Sequence, residues 1–188
     1  CHPGATRARY AIRDGKTRSI GIPREPREAL DAVAEKHLHW VEKPLMLTDT
    51  VGITGFVPRL TSYEDTGGPF YLDPEGTTPD LIEDDMALWI ETAEGTVVCL
   101  GCAHAGVVNT LEHICGLTGH RRLRAVIGGF HLMSAGRERL DQTVEALRRL
   151  SPALLAPCHC TGDSATTHLR AALGESVAPG KAGTVYRF

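Results

Sequence analysis

Thr96-Val97-Val98-Cys99-Leu100-Gly101-Cys102-Ala103-His104-Ala105-Gly106-Val107-Val108 reads as three pieces: an apolar run, a glycine-bounded turn carrying a thiol and an imidazole, and a second apolar run. Ala87–Thr92 precedes it across Ala93-Glu94-Gly95, and Ala87–Thr92 with Thr96–Leu100 predicts a β-hairpin. Beyond the turn, Val107, Val108, Leu111, Ile114 and Cys115 recur at helical spacing. The pattern returns twice. Arg124–Ile127 predicts a strand that runs into Gly128-Gly129-Phe130-His131-Leu132, followed by the helical stripe Leu140, Val144, Leu147, Leu150, which Pro152 breaks. Ala153–Ala156 predicts another strand, running into Pro157-Cys158-His159-Cys160-Thr161-Gly162. A helix with Leu169, Ala172 and Leu173 follows, capped by Asp163 or Ser164, and Thr184–Phe188 reads as a final strand. Strands alternating with helices predict an α/β fold.

Each histidine motif therefore sits just past a strand and just before a helix. Ligands of α/β sheets gather beyond the carboxyl ends of strands. His104, His131 and His159, delivered there by separate strands, can converge on one point. Imidazole is a common neutral metal ligand, and zinc takes His, Cys and carboxylate. One histidine in such a loop is ordinarily just a polar loop residue; three in equivalent places, two of them flanked by cysteine, point to a metal site. His37, His39, His113, His120 and His168 fall on predicted helices or their edges and read as surface or packing residues. A structural zinc site of Cys102, His104, Cys158, His159 and Cys160 is disfavoured by spacing, because zinc motifs usually separate paired ligands by two to four residues. His159 is expected to point inward, with the cysteines lining or buttressing the site. A thiol redox role for Cys158 and Cys160 lacks the usual CxxC spacing.

The chain has 188 residues, 42% hydrophobic and 23% charged, as expected of one globular domain over 1–188. Aromatics are 5% and the net charge is -3, which excludes a base-stacking platform and a strong basic field for nucleic acid. No apolar run approaches the ~20 residues needed to cross a bilayer as a helix. Cys1, Cys99, Cys102, Cys115, Cys158 and Cys160 do not form a disulfide framework, and Cys99 and Cys115 read as buried thiols. Free cysteines beside histidines suit a reducing, cytoplasmic compartment. Toward the start, residues 1–24 read as basic and irregular, Pro26–Lys36 as a helix, and Trp40-Val41 and Val51-Gly52-Ile53 as strands. Residues 57–80, rich in Pro and Gly, form a long loop of the kind that often carries function.

Gly101–Leu111, Gly129–Leu132 and Pro157–Gly162, with Thr54-Gly55-Phe56-Val57-Pro58-Arg59-x-Thr61 and Asp84–Leu88, resemble motifs of the metallo-β-lactamase superfamily. The similarity is greatest to the subgroup of the dihydropterin ribofuranosylaminobenzene phosphate synthases. The resemblance implies an αββα sandwich with a metal site at one edge of its sheets. It implies His104, His131 and His159 as metal-site residues, with His131 alternatively touching substrate. Cys102 is a secondary ligand, near the place where relatives carry a bridging carboxylate. The cofactor implied is zinc, one or two ions, with manganese or iron as alternatives. The activity implied is hydrolysis by metal-activated water of an ester, phosphoester or related bond in a pterin-like or phosphorylated small molecule. Arg59 becomes a candidate clamp for a substrate anion, and Thr161 a candidate substrate contact. Thr161 otherwise caps the next helix, and Asp85 either orients a site histidine or forms a turn. The family's HxHxDH motif, with its general-base Asp, is not found in residues 1–188. The expectation is thus the C-terminal two-thirds of the fold, lacking its first metal motif and N-terminal strands. The competing expectation is a non-catalytic metal-binding fragment completed by a missing segment or a partner. The expected partner is a small-molecule substrate, with neither nucleic acid nor membrane; a homo-oligomer is left open.

Overall fold

A computed structural model describes residues 1–188. In chain order, β1 (Tyr10–Arg13) and β2 (Lys16–Ser19) precede α1 (Arg24–Asp31), β3 (Leu45–Met46), β4 (Val51–Ile53) and β5 (Phe70–Tyr71). The regular half follows: β6 (Ala87–Thr92), β7 (Gly95–Leu100), α2 (Val107–Thr118), β8 (Leu123–Gly129), α3 (Arg137–Leu150), β9 (Leu155–Cys158) and α4 (Asp163–Leu173). The strands make a six-stranded sheet, β3-β4-β6-β7-β8-β9, and a three-stranded sheet, β2-β1-β5. The large sheet is antiparallel from β3 to β7 and parallel from β7 to β9. Parallel neighbours need crossover connections, and α2 and α3 supply them.

Strand register fixes which residues share a face. Trp89, Val98, Val126 and Leu155 are successive partners across β6 to β9 and all are buried. Against that row pack Val107, Val108, Leu111, Ile114 and Cys115 of α2, Val144, Leu147 and Leu150 of α3, and Ala165 and Leu169 of α4. The helical spacing read from sequence is thus the spacing that buries these residues. Burying a Leu or Ile side chain contributes about 1.5–3 kcal/mol, so this interface holds the domain together. Gly52 lies opposite Trp89, and a Cβ there would overlap the indole ring, so β4 must carry glycine at that point.

The other face of the large sheet is also apolar. Ile53, Leu88, Cys99 and Ile127 form one row on it, and Val51 and Ile90 belong to the next. All six are only half-buried. No helix of the chain is long and apolar enough to cross a membrane.

Four expectations fail in the first and last stretches. Residues 1–24 are not irregular, because β1 and β2 form an antiparallel hairpin there. The helix expected over 26–36 is α1, ending at Asp31, followed by a 3-10 turn at Glu35–His37. α1 buries no residue, so its short apolar stripe has no sheet to lengthen against. Trp40-Val41 is not a strand: Val41 N–H bonds to Cys1 O, outside any ladder, and β3 lies four residues further on. Thr184–Phe188 is not a strand either. Its Thr184 N–H closes a turn onto Lys181 O, and Phe188 lies under the Arg124 guanidinium, 5.3 Å from ring centre to Cζ. Trp40-Val41 and Thr184–Phe188 carry apolar residues but join neither sheet.

Candidate metal centre

β7, β8 and β9 run parallel, so the loops after them leave the sheet at one edge. Backbone hydrogen bonds join those loops. Gly129 N–H donates to Gly101 O at 2.9 Å, and Met133 N–H to Cys160 O at 3.3 Å. Each loop turns through a left-handed residue that is not glycine: Ala103 (φ 54°), His131 (φ 47°) and His159 (φ 50°). Such a conformation costs roughly 1–2 kcal/mol per residue, and strained backbone of this kind clusters at functional sites.

The turns bring the predicted site residues together as two touching groups. His104 and His131 stack at a tilt, with ring centres 4.1 Å apart, and Phe70 meets His104 edge-on at 5.6 Å. Cys102, His159 and Cys160 place their ligating atoms within 4.8 Å of one another. Cys102 links the groups, since Cys160, His104 and His131 all bear on its thiol. Cys160 was expected only to line the site. Instead its sulfur approaches Cys102 O at 3.5 Å, and the Cys102 thiol pulls the Cys160 pKa down to about 7. The donor set is therefore two sulfurs and up to three imidazoles. His131 Nδ1 is buried without a hydrogen-bond partner. Thiolate and imidazole donors are those zinc prefers, and an orphaned ring nitrogen beside them has a use as a ligand. The residues present fit a metal.

Around the site, His104 Nδ1 lies 2.9 Å from Thr66 O. A carbonyl only accepts, so His104 carries a proton on Nδ1, and in the neutral ring the lone pair is then on Nε2. Asp85, expected as an orienter of histidine or a turn former, acts on the backbone: its Oδ2 accepts from Ala105 N–H at 2.7 Å, next to His104. Burial pushes the Asp85 carboxyl above its ordinary value, against the pull of that N–H. A cavity of about 460 Å³ opens beside the two groups, lined among others by Arg9, Phe70, Ile82, Asp85, Cys102 and His104. Arg9 is already neutralised there by Asp84, at 2.8 Å through Nη1, and by Asp80 at 2.7 Å through Nε.

Two substrate-contact expectations meet different surroundings. Thr161 is fully buried, and its hydroxyl accepts from Phe130 N–H at 3.0 Å while donating to Cys158 O at 2.8 Å. It pins two loops together and has no surface to offer a substrate. Nor does it cap α4, whose N-cap is Gly162, without a side-chain cap. Arg59 is half-buried and donates Nη2 to Leu81 O at 2.6 Å. Asp85, Glu64 and Asp65 bear on its charge, so an incoming anion would meet their field as well as the guanidinium.

Sequence reasoning passed over the residues that support the site from 60–68. Glu64 Oε1 accepts from Val108 N–H at 2.9 Å and Oε2 from Asn109 N–H at 2.8 Å. Glu64 thus satisfies the first turn of α2, whose own N-cap, Gly106, has no side chain to do so. A Cβ on Gly106 would overlap the Glu64 carboxylate. Asn109 Oδ1 in turn accepts from Leu60 and Thr61 N–H, both at 2.9 Å. The signal in the sequence was the helix opening on glycine, which requires a cap from elsewhere.

No family model matches the chain. Over 123 residues it is 32% identical to the 7,8-dihydropterin-6-methyl-4-(β-D-ribofuranosyl)-aminobenzene-5'-phosphate synthase of Methanocaldococcus jannaschii, covering 65% of this chain and 42% of that protein. Over 153 residues it is 32% identical to an uncharacterized protein of the same organism, covering 81% and 55%. The chain spans about half the length of these curated relatives. The crystal structure of a metal-dependent hydrolase of the β-lactamase superfamily superposes with a TM-score of 0.83 at 26% identity, over 97% of this chain and 68% of that one. In fold this chain is similar to a metal-dependent hydrolase of the β-lactamase superfamily, and over part of its sequence it is similar to the dihydropterin-linked phosphate synthase.

Proposed function

We propose that the chain is a metal-dependent hydrolase acting on an ester, phosphoester or related bond, with zinc as its metal. The observation that carries this reading is the meeting of Cys102, His104, His131, His159 and Cys160 at the end of three parallel strands. Lewis acidity is what such a metal supplies when bound: water becomes a usable nucleophile near neutral pH, and the oxygen of the scissile group is polarised. Cys102, His159 and His104, with His131 or Cys160, would hold it. Thr66 O keeps the proton of His104 on Nδ1 and leaves Nε2 free for the site. Asp85 holds the Ala105 N–H, which fixes the turn carrying His104. Phe70 and Ile82 give the neighbouring cavity apolar walls that exclude water from part of a bound substrate. The named relative is a synthase of a phosphorylated, pterin-linked product, which favours a phosphorylated or pterin-like small molecule over a polymer. Six free thiols favour a reducing compartment, and we assign the cytoplasm.

A second reading has its own observation. The apolar outer face of the large sheet, with Ile53, Leu88, Cys99 and Ile127 half-buried, suits a metal-binding unit whose catalysis needs a covering layer from further chain or a partner.

Elemental analysis of the purified 188-residue chain, beside His104→Ala, His159→Ala and Cys102→Ser, tests the site. Near-stoichiometric metal that falls in all three supports the assignment. Metal that persists in all of them means that other residues bind it. Metal with no turnover of phosphoester, lactone or thioester substrates favours the second reading.

A further inference from the structure

The segment Thr61–Gly68 passes across the site and touches both histidines of its deeper group. Thr66 O meets His104 Nδ1. Gly67 lies so close to the His131 ring that a Cβ on it would overlap the ring atoms. Segments of this kind are ordinarily mobile, because turns with exposed backbone have little to hold them. This one is fastened at each end. On one side, Asn109 and Glu64 tie it to the first turn of α2. On the other, Asp65 pairs with Arg139 of α3 and also accepts Gly67 N–H at 2.7 Å. The Arg139 partner is unusual. Its side chain is 8% exposed, whereas that of Asp65 is 72% exposed. Nε and Nη2 of Arg139 have no partner at all. A buried guanidinium with one hydrogen-bonded partner is costly to hold, and its charge also bears on the buried Glu64 carboxylate. The one direct contact of the guanidinium is thus with the strap.

We propose that Arg139 is a positioning residue: through Asp65 it holds the Thr61–Gly68 strap over the site, so that Thr66 O fixes His104 in the Nδ1–H form with Nε2 open to a ligand. The inference builds on the metal-site reading above, but its central claim concerns the ring of His104 in the chain without metal. Asp65 delivers the hold because its one carboxylate oxygen joins the guanidinium to Gly67 N–H, the residue after Thr66. Without Arg139, Asp65 returns to solvent at little cost and the strap keeps only its α2 anchor.

The test is Arg139→Met in the full chain, read by long-range proton–nitrogen correlation of the histidine rings in the absence of metal. The wild-type His104 ring should show one form, pyrrole-like at Nδ1 and pyridine-like at Nε2. In Arg139→Met it should become a mixture of tautomers, while the backbone spectrum and melting temperature stay those of a folded chain. Asp65→Ala combined with Arg139→Met should give the same mixture as Arg139→Met alone, because both act through one link. Asp65→Ala alone, at a side chain that is 72% exposed, should give the same mixture and serves if Arg139→Met unfolds the chain. Zinc affinity, read by competition with a chelating dye, should fall about 10–100-fold, the usual effect of removing a group that orients a ligand. A single Nδ1–H tautomer retained in these variants overturns the proposal. Wild-type chain with the fixed tautomer and no zinc binding leaves the strap in place and overturns the metal-site reading instead.

Discussion

Glu64→Gln removes one negative charge at a buried joint and little else. Glu64 is 7% exposed and accepts three hydrogen bonds, from Val108 N–H at 2.9 Å, Asn109 N–H at 2.8 Å and the Thr61 hydroxyl at 3.1 Å. Glutamine is almost the same size but keeps one acceptor oxygen. One of the two α2 amides then faces an NH₂ group and loses its partner. A buried donor left unsatisfied costs about 1–3 kcal/mol, and relief from burying a charge offsets part of it, so the net loss is about 1–2 kcal/mol. For a chain of this size, 1 kcal/mol moves the melting temperature by roughly 2–4 °C, giving a drop of about 2–8 °C. The pH dependence is more telling. Burial, the largest influence, pushes the Glu64 carboxyl above its ordinary value despite its three donors. A raised folded-state pKa adds stability that is complete below the ordinary carboxylate value and lost as pH rises through the raised one. Glutamine has no such contribution. The penalty of Glu64→Gln should thus be largest in acid and shrink toward neutral pH. Urea unfolding of both chains at several pH values between about 4 and 7.5, the range around the carboxylate pKa, measures it. A penalty that grows with pH would refute the claim that burial outweighs the hydrogen bonds, and no penalty at any pH would refute the cap itself.

Thr161→Val keeps the shape of a fully buried side chain but strips Phe130 N–H of its acceptor; a loss of about 1–3 kcal/mol in unfolding free energy is expected, and a neutral result would mean water replaces the hydroxyl. Gly67→Ala puts a methyl group into the His131 ring on a residue at φ 78°, so zinc affinity should fall by at least tenfold as strap or ring moves; unchanged affinity would place His131 outside the ligand set. Zinc at a hundredfold excess over its Kd should stabilise the chain by about 2.7 kcal/mol, and calorimetry should show that increment disappear in His159→Ala.

Much of the second half was legible because one period explains each piece. The spacing of Val107, Val108, Leu111 and Ile114 is the stripe that meets Trp89 and Val98, so pattern and packing are the same fact. The three histidine motifs were legible because each follows a strand of the parallel group, and topology alone carries them to one edge. The closeness of Cys160 to His159 and Cys102 was not legible, because successive side chains of extended backbone point to opposite faces. The left-handed turn at His159 changes the direction of the chain and brings His159 and Cys160 to the same side. Thr161 was misjudged because a hydroxyl before a helix resembles a cap, while its actual partners, Phe130 and Cys158, belong to two other loops. Glu64, Asp65 and Arg139 were invisible because their chemistry lies in contacts 44 to 74 residues apart, between a loop without periodicity and helices that look complete without it. The N-terminal hairpin escaped for a related reason: β2 has all four residues exposed, so no apolar alternation announces it.

The borrowed cap on α2 also decides how the protein opens. A helix whose first turn is satisfied from within can form before the rest of the chain arrives. The first turn of α2 cannot, since its acceptor sits on a loop 44 residues upstream. Lifting the strap bares the amides of Val108 and Asn109 at the moment it uncovers His104 and His131. Those two amides become clocks for the mouth of the site: in deuterated solvent their protons should exchange at the frequency of strap opening, well ahead of Leu111 and Ile114 deeper in the same helix. Access to the histidines can be timed in this way from the backbone alone, without a substrate in hand.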